Sequence, residues 1–199
     1  IFLISCIIGV STYAEGNSIY ITQSGSNLDL DITQDGQNNE IEALNGNGSA
    51  IVYGTNSTAT FTQTGNDNQI RVWSDSSSGK SMTNTQTGNS NISLSDNHGQ
   101  DNTMTTNVTG NSNYTFNEIG NGGDTDNTIT TTINGDSNNV IAEVQNGDSN
   151  TIDVQVQSQD NNIVRVYVNG DNNNAKVWQG KHESGNVDNN ETGDNDAYW

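Results

Sequence analysis

Few residues in this 199-residue chain have the chemistry for catalysis. Its two histidines, His98 and His182, fall in turn or tail sequence, and Cys6 is its single thiol. No Ser/His/Asp spacing and no metal-ligand cluster stands apart from the local repeat described below. Asp67, Asp101, Asp136, Asp148, Asp160 and Asp171 supply carboxylates in turn sequence. Asn121-Gly-Gly-Asp124-Thr-Asp126 has the ligand types of a calcium turn, but it occurs once and without a nine-residue repeat. The expectation is therefore no enzyme, no cofactor and no metal centre, with calcium at the turn carboxylates as a weaker alternative. What the chain has in quantity is amides. Asn and Gln each carry two donors and an acceptor, so amides at a fixed position in successive repeats can bond one to the next.

The elements that would hold those amides must be built from unusual material. Acidic residues number 24 against 5 basic, for a net charge of −19; there is no proline, and 29% of residues are apolar. A globular domain runs near 45–50% apolar, so these values read first as disorder. One cysteine cannot form a disulfide within the chain, and the charge argues against nucleic-acid partners. Two features oppose disorder: the absence of proline, and the order in which the apolar residues occur.

Residues 1–14 open with an apolar run, Ile1 to Val10, followed by Ser11-Thr12-Tyr13-Ala14. About ten apolar residues is too short for a membrane span, which needs roughly 20. The run suits the apolar region of a secretory signal whose basic n-region is incomplete, with cleavage after Ala14. Lipidation at Cys6 is the alternative, opposed by the four apolar residues that follow it.

Beyond this segment, Gly-x-x-Asn recurs at Gly36–Asn39, Gly65–Asn68, Gly88–Asn91, Gly99–Asn102, Gly110–Asn113, Gly135–Asn138, Gly147–Asn150 and Gly170–Asn173. Asn91, Asn102 and Asn113 are 11 residues apart, and from Asn127 to Asn173 the steps are 11, 12, 12 and 11. Between these turns the apolar residues alternate, as in Ile152, Val154, Val156 and in Val164, Val166, Val168. Period-two alternation closed by Gly, Asn and Asp predicts strands between tight turns, and no stretch shows a helical period. A single such strand cannot bury its apolar side, but stacked copies can. The reading is an all-β parallel solenoid over residues 15–180, of stacked strand–turn–strand rungs about 23 residues long. Its core needs apolar residues only at alternate positions, and its central strands exclude proline. Residues 181–199 read as an acidic tail that loses the repeat.

Four units extend the motif to Gln-x-Gly-x-x-Asn, at Gln34, Gln63, Gln86 and Gln145, and Ile19-x-Ile21-x-Gln23-x-Gly25 begins the series. Inside the 11–12-residue frame, this resembles the curlin repeat of curli subunits across roughly residues 17–180. The resemblance implies an exported chain that polymerises end to end, with itself as partner, into an extracellular cross-β fibre of a biofilm matrix or an adhesive surface. It also implies a nucleator subunit, an outer-membrane secretion channel and chaperones. The sequence departs from the family in lacking the polar stretch that normally separates signal from repeats, and in placing Val108, Ile133 or Val168 where Gln is expected.

If assembly is the function, its residues are the inward ladder of Gln23, Gln34, Gln63, Gln86 and Gln145, the ladder of Asn39, Asn68, Asn91 and Asn150, and the turn glycines Gly36, Gly65, Gly88, Gly110, Gly135, Gly147 and Gly170. Neither end carries the helix or Pro-rich segment of a cap, and an open strand edge templates another chain. Acidic turns stacked along a rim would slow growth, so growth should quicken in mild acid or with divalent cations. Arg71-x-Trp73, Arg165-x-Tyr167 and Lys176-x-Trp178 put basic and aromatic residues on the outward parity, as a strip for bundling or adhesion, or as simple shielding of a strand face. At Ile92/Leu94 and Tyr114/Phe116 the apolar residues change parity. A repeat adhesin, a disordered matrix protein and a monomeric ice- or surface-binding solenoid are the alternatives. An ice-binding face needs Thr-x-Thr at one position in successive rungs. Along the sequence, Thr83-x-Thr85-x-Thr87 and Thr103-x-Thr105 look sporadic.

Overall fold

A computed structural model describes residues 16–23, 27, 29–43, 50–52, 56–74, 81–120, 123–157, 163–179, 186–192 and 196–198. The expected signal segment 1–14 with Cys6, residues 75–80, Asp160 and His182 lie outside the described residues.

The described residues form strands and turns only, as the alternation predicts. In order the strands are β1 (Ser18–Ile19), β2 (Ile21–Gln23), β3 (Asp29–Asp35), β4 (Glu40–Ala43), β5 (Ala50–Val52), β6 (Thr58–Thr64), β7 (Gln69–Ser74), β8 (Ser81–Thr87) and β9 (Ile92–Asn97). They continue as β10 (Thr103–Thr109), β11 (Tyr114–Ile119), β12 (Thr128–Asn134), β13 (Asn139–Val144), β14 (Thr151–Gln157), β15 (Ile163–Asn169), β16 (Asn174–Gln179), β17 (Asn186–Thr192) and β18 (Asp196–Tyr198).

Successive strands alternate between two parallel sheets. Sheet A runs β1-β4-β7-β9-β11-β13-β15-β17, with β2 and β5 joined beside this path, and sheet B runs β3-β6-β8-β10-β12-β14-β16-β18. This is a parallel β-solenoid. Bonded residues of neighbouring rungs are 22, 23 or 25 apart over most of its length. They are 29 apart between β4 and β7, where β4 and β5 share one strand position against β7 and residues 44–49 intervene. Strands β17 and β18, whose sequences show no apolar alternation, pair in parallel with β15 and β16. Five turns from sheet B to sheet A have four residues each, at 36–39, 65–68, 88–91, 110–113 and 135–138, and five residues separate β14 from β15. Those from A to B vary from four residues at 170–173 to eight at 120–127.

Burial follows the period-two rule. In β6, β8, β10 and β12 every second residue is buried, and the inward set includes Phe61, Met82, Met104 and Ile129. The apolar core falls into two clusters. One gathers Ile41, Ala59, Phe61, Ile70, Val72 and Met82; the other begins at Met104 and is almost wholly aliphatic through Val177.

A polar layer separates them, where β9 and β11 change parity. Ile92 and Tyr114 point outward at 36% exposure each, so the inward positions go to Ser93, Ser95, Thr115 and Asn117. These groups bond to one another within and across the sheets, and of this set Asn84 Oδ1 is left without a partner. Asn84 Nδ2 donates to Ser93 Oγ (2.8 Å), Thr115 Oγ1 to Ser93 Oγ (2.8 Å), Asn117 Nδ2 to Thr106 Oγ1 (2.6 Å), and Thr131 Oγ1 to Asn117 Oδ1 (2.9 Å). A buried polar group without a partner costs about 1–3 kcal/mol, so this layer stands only because it is networked.

Candidate functional site: amide ladders and two outer faces

The Gly-x-x-Asn turn is built by two left-handed residues. In the turn 88–91, Gly88 has φ 124° and Ser90 φ 57°; the same two positions are positive at Gly36/Asn38, Gly65/Asp67 and Gly110/Ser112. Glycine is required for a second reason. A Cβ on Gly88 would lie 1.9 Å from the carbonyl oxygen of Gly110, and one on Gly65 would lie 2.0 Å from that of Gly88. The turns stack this closely because their backbones bond. Gly110 N–H donates to Thr87 O, and Ser112 N–H to Asn89 O, both at 2.9 Å. The Gln145–Asn150 turn differs: Asn146 and Ser149 take the left-handed positions, and Gly147 does not.

The final Asn of each turn enters a buried ladder. Asn91 Oδ1 accepts from the backbone N–H and the Nδ2 of Asn113, both at 3.0 Å. Asn91 Nδ2 donates back to Asn68 Oδ1 (3.1 Å) and on to Gly110 O (2.7 Å). The same scheme joins Asn39, Asn68, Asn91, Asn113 and Asn138 along one edge. Asn150 is not in this ladder. It belongs to a second one on the opposite edge, with Asn102, Asn127 and Asn173.

The glutamines divide likewise. Gln34 Nε2 donates to Gln63 Oε1 (2.8 Å), and Gln63 Nε2 to Gln86 Oε1 (3.2 Å). Each also reaches a sheet A carbonyl: Ser18 O, Glu40 O and, for Gln86, Gln69 O. Register then gives the same position to Val108, Ile133 and Val156, which continue it as apolar packing. Gln145 sits apart, after β13, bonded to Glu143 and to the Tyr167 hydroxyl. Gln23 pairs with Val52 beside the main path of sheet A, and its side chain lies outside the described set.

The turn carboxylates are more than a solvated rim. Asp136 Oδ1 accepts Asn111 N–H (2.7 Å), Asp148 Oδ1 accepts Thr125 N–H (2.7 Å) and Asp171 Oδ1 accepts Asp148 N–H (2.9 Å). Asn66, Asn89 and Asn111 do the same in other turns. Among the described residues no group of three or more His, Cys, Asp or Glu is arranged to hold a metal. In the 121–126 segment, Asp124 accepts Asn146 N–H at 3.2 Å.

The two outer faces differ in kind. On sheet A, Arg71, Leu94, Phe116, Ile141 and Arg165 form one column across five strands. Trp73, Asp96, Glu118, Glu143 and Tyr167 form the next. The basic–aromatic pairs of β7 and β15 thus have three strands between them, with Arg71 engaged by Glu42 at 2.5 Å. Lys176 and Trp178 are on β16, in sheet B, so the three pairs do not make one strip. In the acidic column, burial and then the Glu143 and Asp96 carboxylates raise the Glu118 carboxyl above its ordinary 4.5; His98, 2.7 Å from Asp96, opposes this. A raised native pKa means the folded state binds the proton more tightly. Stability from this group is therefore complete at low pH and falls as the pH climbs from 4.5 through the raised value. Glu118→Gln should raise the unfolding temperature near pH 7 and match the parent near pH 4, as read by thermal melts at both.

The outer face of sheet B is nearly uniform across β6, β8, β10 and β12. Its columns are Thr58–Ser81–Thr103–Thr128, Thr60–Thr83–Thr105–Thr130, Thr62–Thr85–Asn107–Thr132 and Thr64–Thr87–Thr109–Asn134. Thr-x-Thr is therefore not sporadic but in register on four successive rungs. Turn and loop segments of unequal length hide that register in the linear sequence, and aligning on the Gly-x-x-Asn turns would have exposed it.

The family model for the Curlin associated repeat matches residues 13–36. No curated protein and no solved structure matches the chain. The matched segment is about one rung long, and the solenoid repeats its turn and ladder geometry rung after rung. Over residues 13–36 the chain is similar to the curlin repeat.

Proposed function

We propose that this protein is a structural subunit of an extracellular fibre that grows by end-to-end stacking of solenoids. The observation that supports it most is that neighbouring rungs are joined by one recurring scheme. Backbone ladder, turn ladder and Asn ladder repeat the same bonds between Asn68 and Asn91 as between Asn91 and Asn113. A junction between two molecules needs nothing that a junction between two rungs lacks. Among the described residues, β1 and β3 at one end and β17 and β18 at the other are each paired on one side along the sheet order. An exposed parallel edge of this kind templates a further strand.

In this reading the partner is the chain itself, the fibre lies at the cell surface, and residues 1–14 direct export. A nucleator, an outer-membrane channel and chaperones assist, as the family resemblance implies. The ladder residues of the repeat are then both structure and function, and no catalytic group is needed.

Incubated at micromolar concentration, the purified chain should form fibres after a lag that sonicated fibres abolish. Diffraction from aligned fibres should show a reflection near 4.8 Å along the fibre axis. A β-rich chain that stays monomeric at every concentration, with or without seeds, overturns the proposal.

A further inference from the structure

The acidic residues of this chain are spread through turns and sheet A, yet none faces outward from β6, β8, β10 or β12. Charge returns at the flanking strands, with Asp29, Asp31 and Asp35 on β3, Asp153 on β14 and Lys176 beyond it on β16. Four strands with four outward positions each carry threonine almost throughout, interrupted by Ser81, Asn107 and Asn134. Threonine is an ordinary choice for a strand surface, because a β-branched side chain packs well there. That preference does not explain why a chain of net charge −19 keeps the outward positions of four successive strands uncharged and in register.

Each threonine presents one hydroxyl and one methyl, and its χ1 is stiff. Neighbouring strands are about 4.8 Å apart, and alternate residues along a strand about 6.7 Å apart. The face is thus a two-dimensional lattice of hydroxyls and methyls in near-fixed orientation. The oxygen rows of hexagonal ice repeat at a comparable pair of spacings. Hydroxyls can join such rows as donor or acceptor, while methyls sit between them without demanding hydration of their own. A charged side chain would impose its own water shell, and here charge is absent.

We propose that the threonine array on β6, β8, β10 and β12 binds ice. Its extent, about 14 Å by about 20 Å or on the order of 300 Å2, falls well short of the roughly 800 Å2 per partner of a standard protein interface. Size therefore favours an extended crystal surface over a second copy of the chain. Each molecule carries the whole face, so the binding does not depend on fibre growth.

The test uses freshly purified, unaggregated full chain in a nanolitre osmometer and an ice-recrystallisation assay. The parent should facet growing ice crystals and hold grain size small. Thr105→Lys and Thr83→Tyr, both at outward positions in the middle of the array, should each abolish faceting while keeping the parent's circular dichroism and melting temperature. Ile141→Lys on the opposite face should leave ice activity unchanged. Rounded, unshaped crystals with the parent chain overturn the proposal, as does equal loss in Thr105→Lys and Ile141→Lys. If Thr105→Lys instead disperses laterally associated molecules, measured by sedimentation, and no variant affects ice, the face belongs to a second copy and the ice reading fails.

Discussion

Gly88→Ala is expected to cost about 2–5 kcal/mol, a large part of the ~5–15 kcal/mol that holds a typical domain together. Two effects combine in this one methyl group. Gly88 has φ 124°, where an L side chain is strained by about 1–3 kcal/mol. The added Cβ would also meet the Gly110 carbonyl oxygen at 1.9 Å. That oxygen cannot simply retreat, because it accepts from Asn91 Nδ2 at 2.7 Å. Relieving the clash means separating two rungs at a corner where backbone and side-chain ladders both run. Two companions separate the causes. Gly147→Ala meets Gly170 O at 1.9 Å but is outside the left-handed region, so it should cost less than Gly88→Ala. Gly123→Ala meets nothing within 4 Å and should be neutral or slightly stabilising. Urea unfolding followed by far-ultraviolet circular dichroism gives all three. Equal midpoints for Gly88→Ala and Gly123→Ala would show that the turns do not stack this closely.

Asn91→Ala should be nearly as damaging, at about 3–5 kcal/mol, because truncation strands several buried partners at once. The N–H and Nδ2 of Asn113 lose their acceptor, and Gly110 O loses its donor. Asn91→Asp isolates the donor half of the ladder. Its carboxylate still accepts from Asn113, but the second oxygen now faces the Asn68 Oδ1 and Gly110 O that Nδ2 had bonded. Two acceptors against a carboxylate favour the protonated form, raising the native pKa of the new group. Asn91→Asp should therefore be most destabilised near neutral pH and recover stability as the pH falls through the carboxylate range. Melting curves from pH 7 to pH 3.5 test this. A variant equally weak at both ends of the range would mean that the Nδ2 donors are not what joins the rungs.

Most of the architecture was legible because its signals are local. Alternation such as Val164, Val166, Val168 fixes a strand and its parity, and Gly88-Asn-Ser-Asn91 fixes a turn. Even the parity change at Ile92 and Tyr114 could be read, although its consequence, the networked polar layer around Ser93 and Asn117, could not. What escaped the sequence is which corner a turn occupies. Gly147–Asn150 and Gly88–Asn91 look alike as strings, but one follows sheet A and the other sheet B. So Asn150 and Gln145 were grouped with residues on the far edge. The basic–aromatic pairs were misgrouped for the same reason, since Lys176 and Arg165 share a parity but not a sheet. The threonine array was hidden by spacing, because strands that stack directly are 22 to 29 residues apart and no fixed period aligns them. Strands β17 and β18 carry no apolar alternation, so only their pairing reveals them.

The inequality of the two corners bears on what the molecule tolerates. In the five B-to-A turns from 36–39 to 135–138, the glycine and the asparagine are locked to the neighbouring rungs, so a single added residue in one of them would break three ladders. Along the A-to-B edge, segments of four, five, six and eight residues already coexist without disturbing the register of the strands they join. Lengthening a surface loop costs only about 0.6 kcal/mol per doubling. That margin is a row of sockets one strand spacing apart, each able to accept a foreign peptide on its own. A fibre built from such subunits would display its cargo at a fixed pitch along one side.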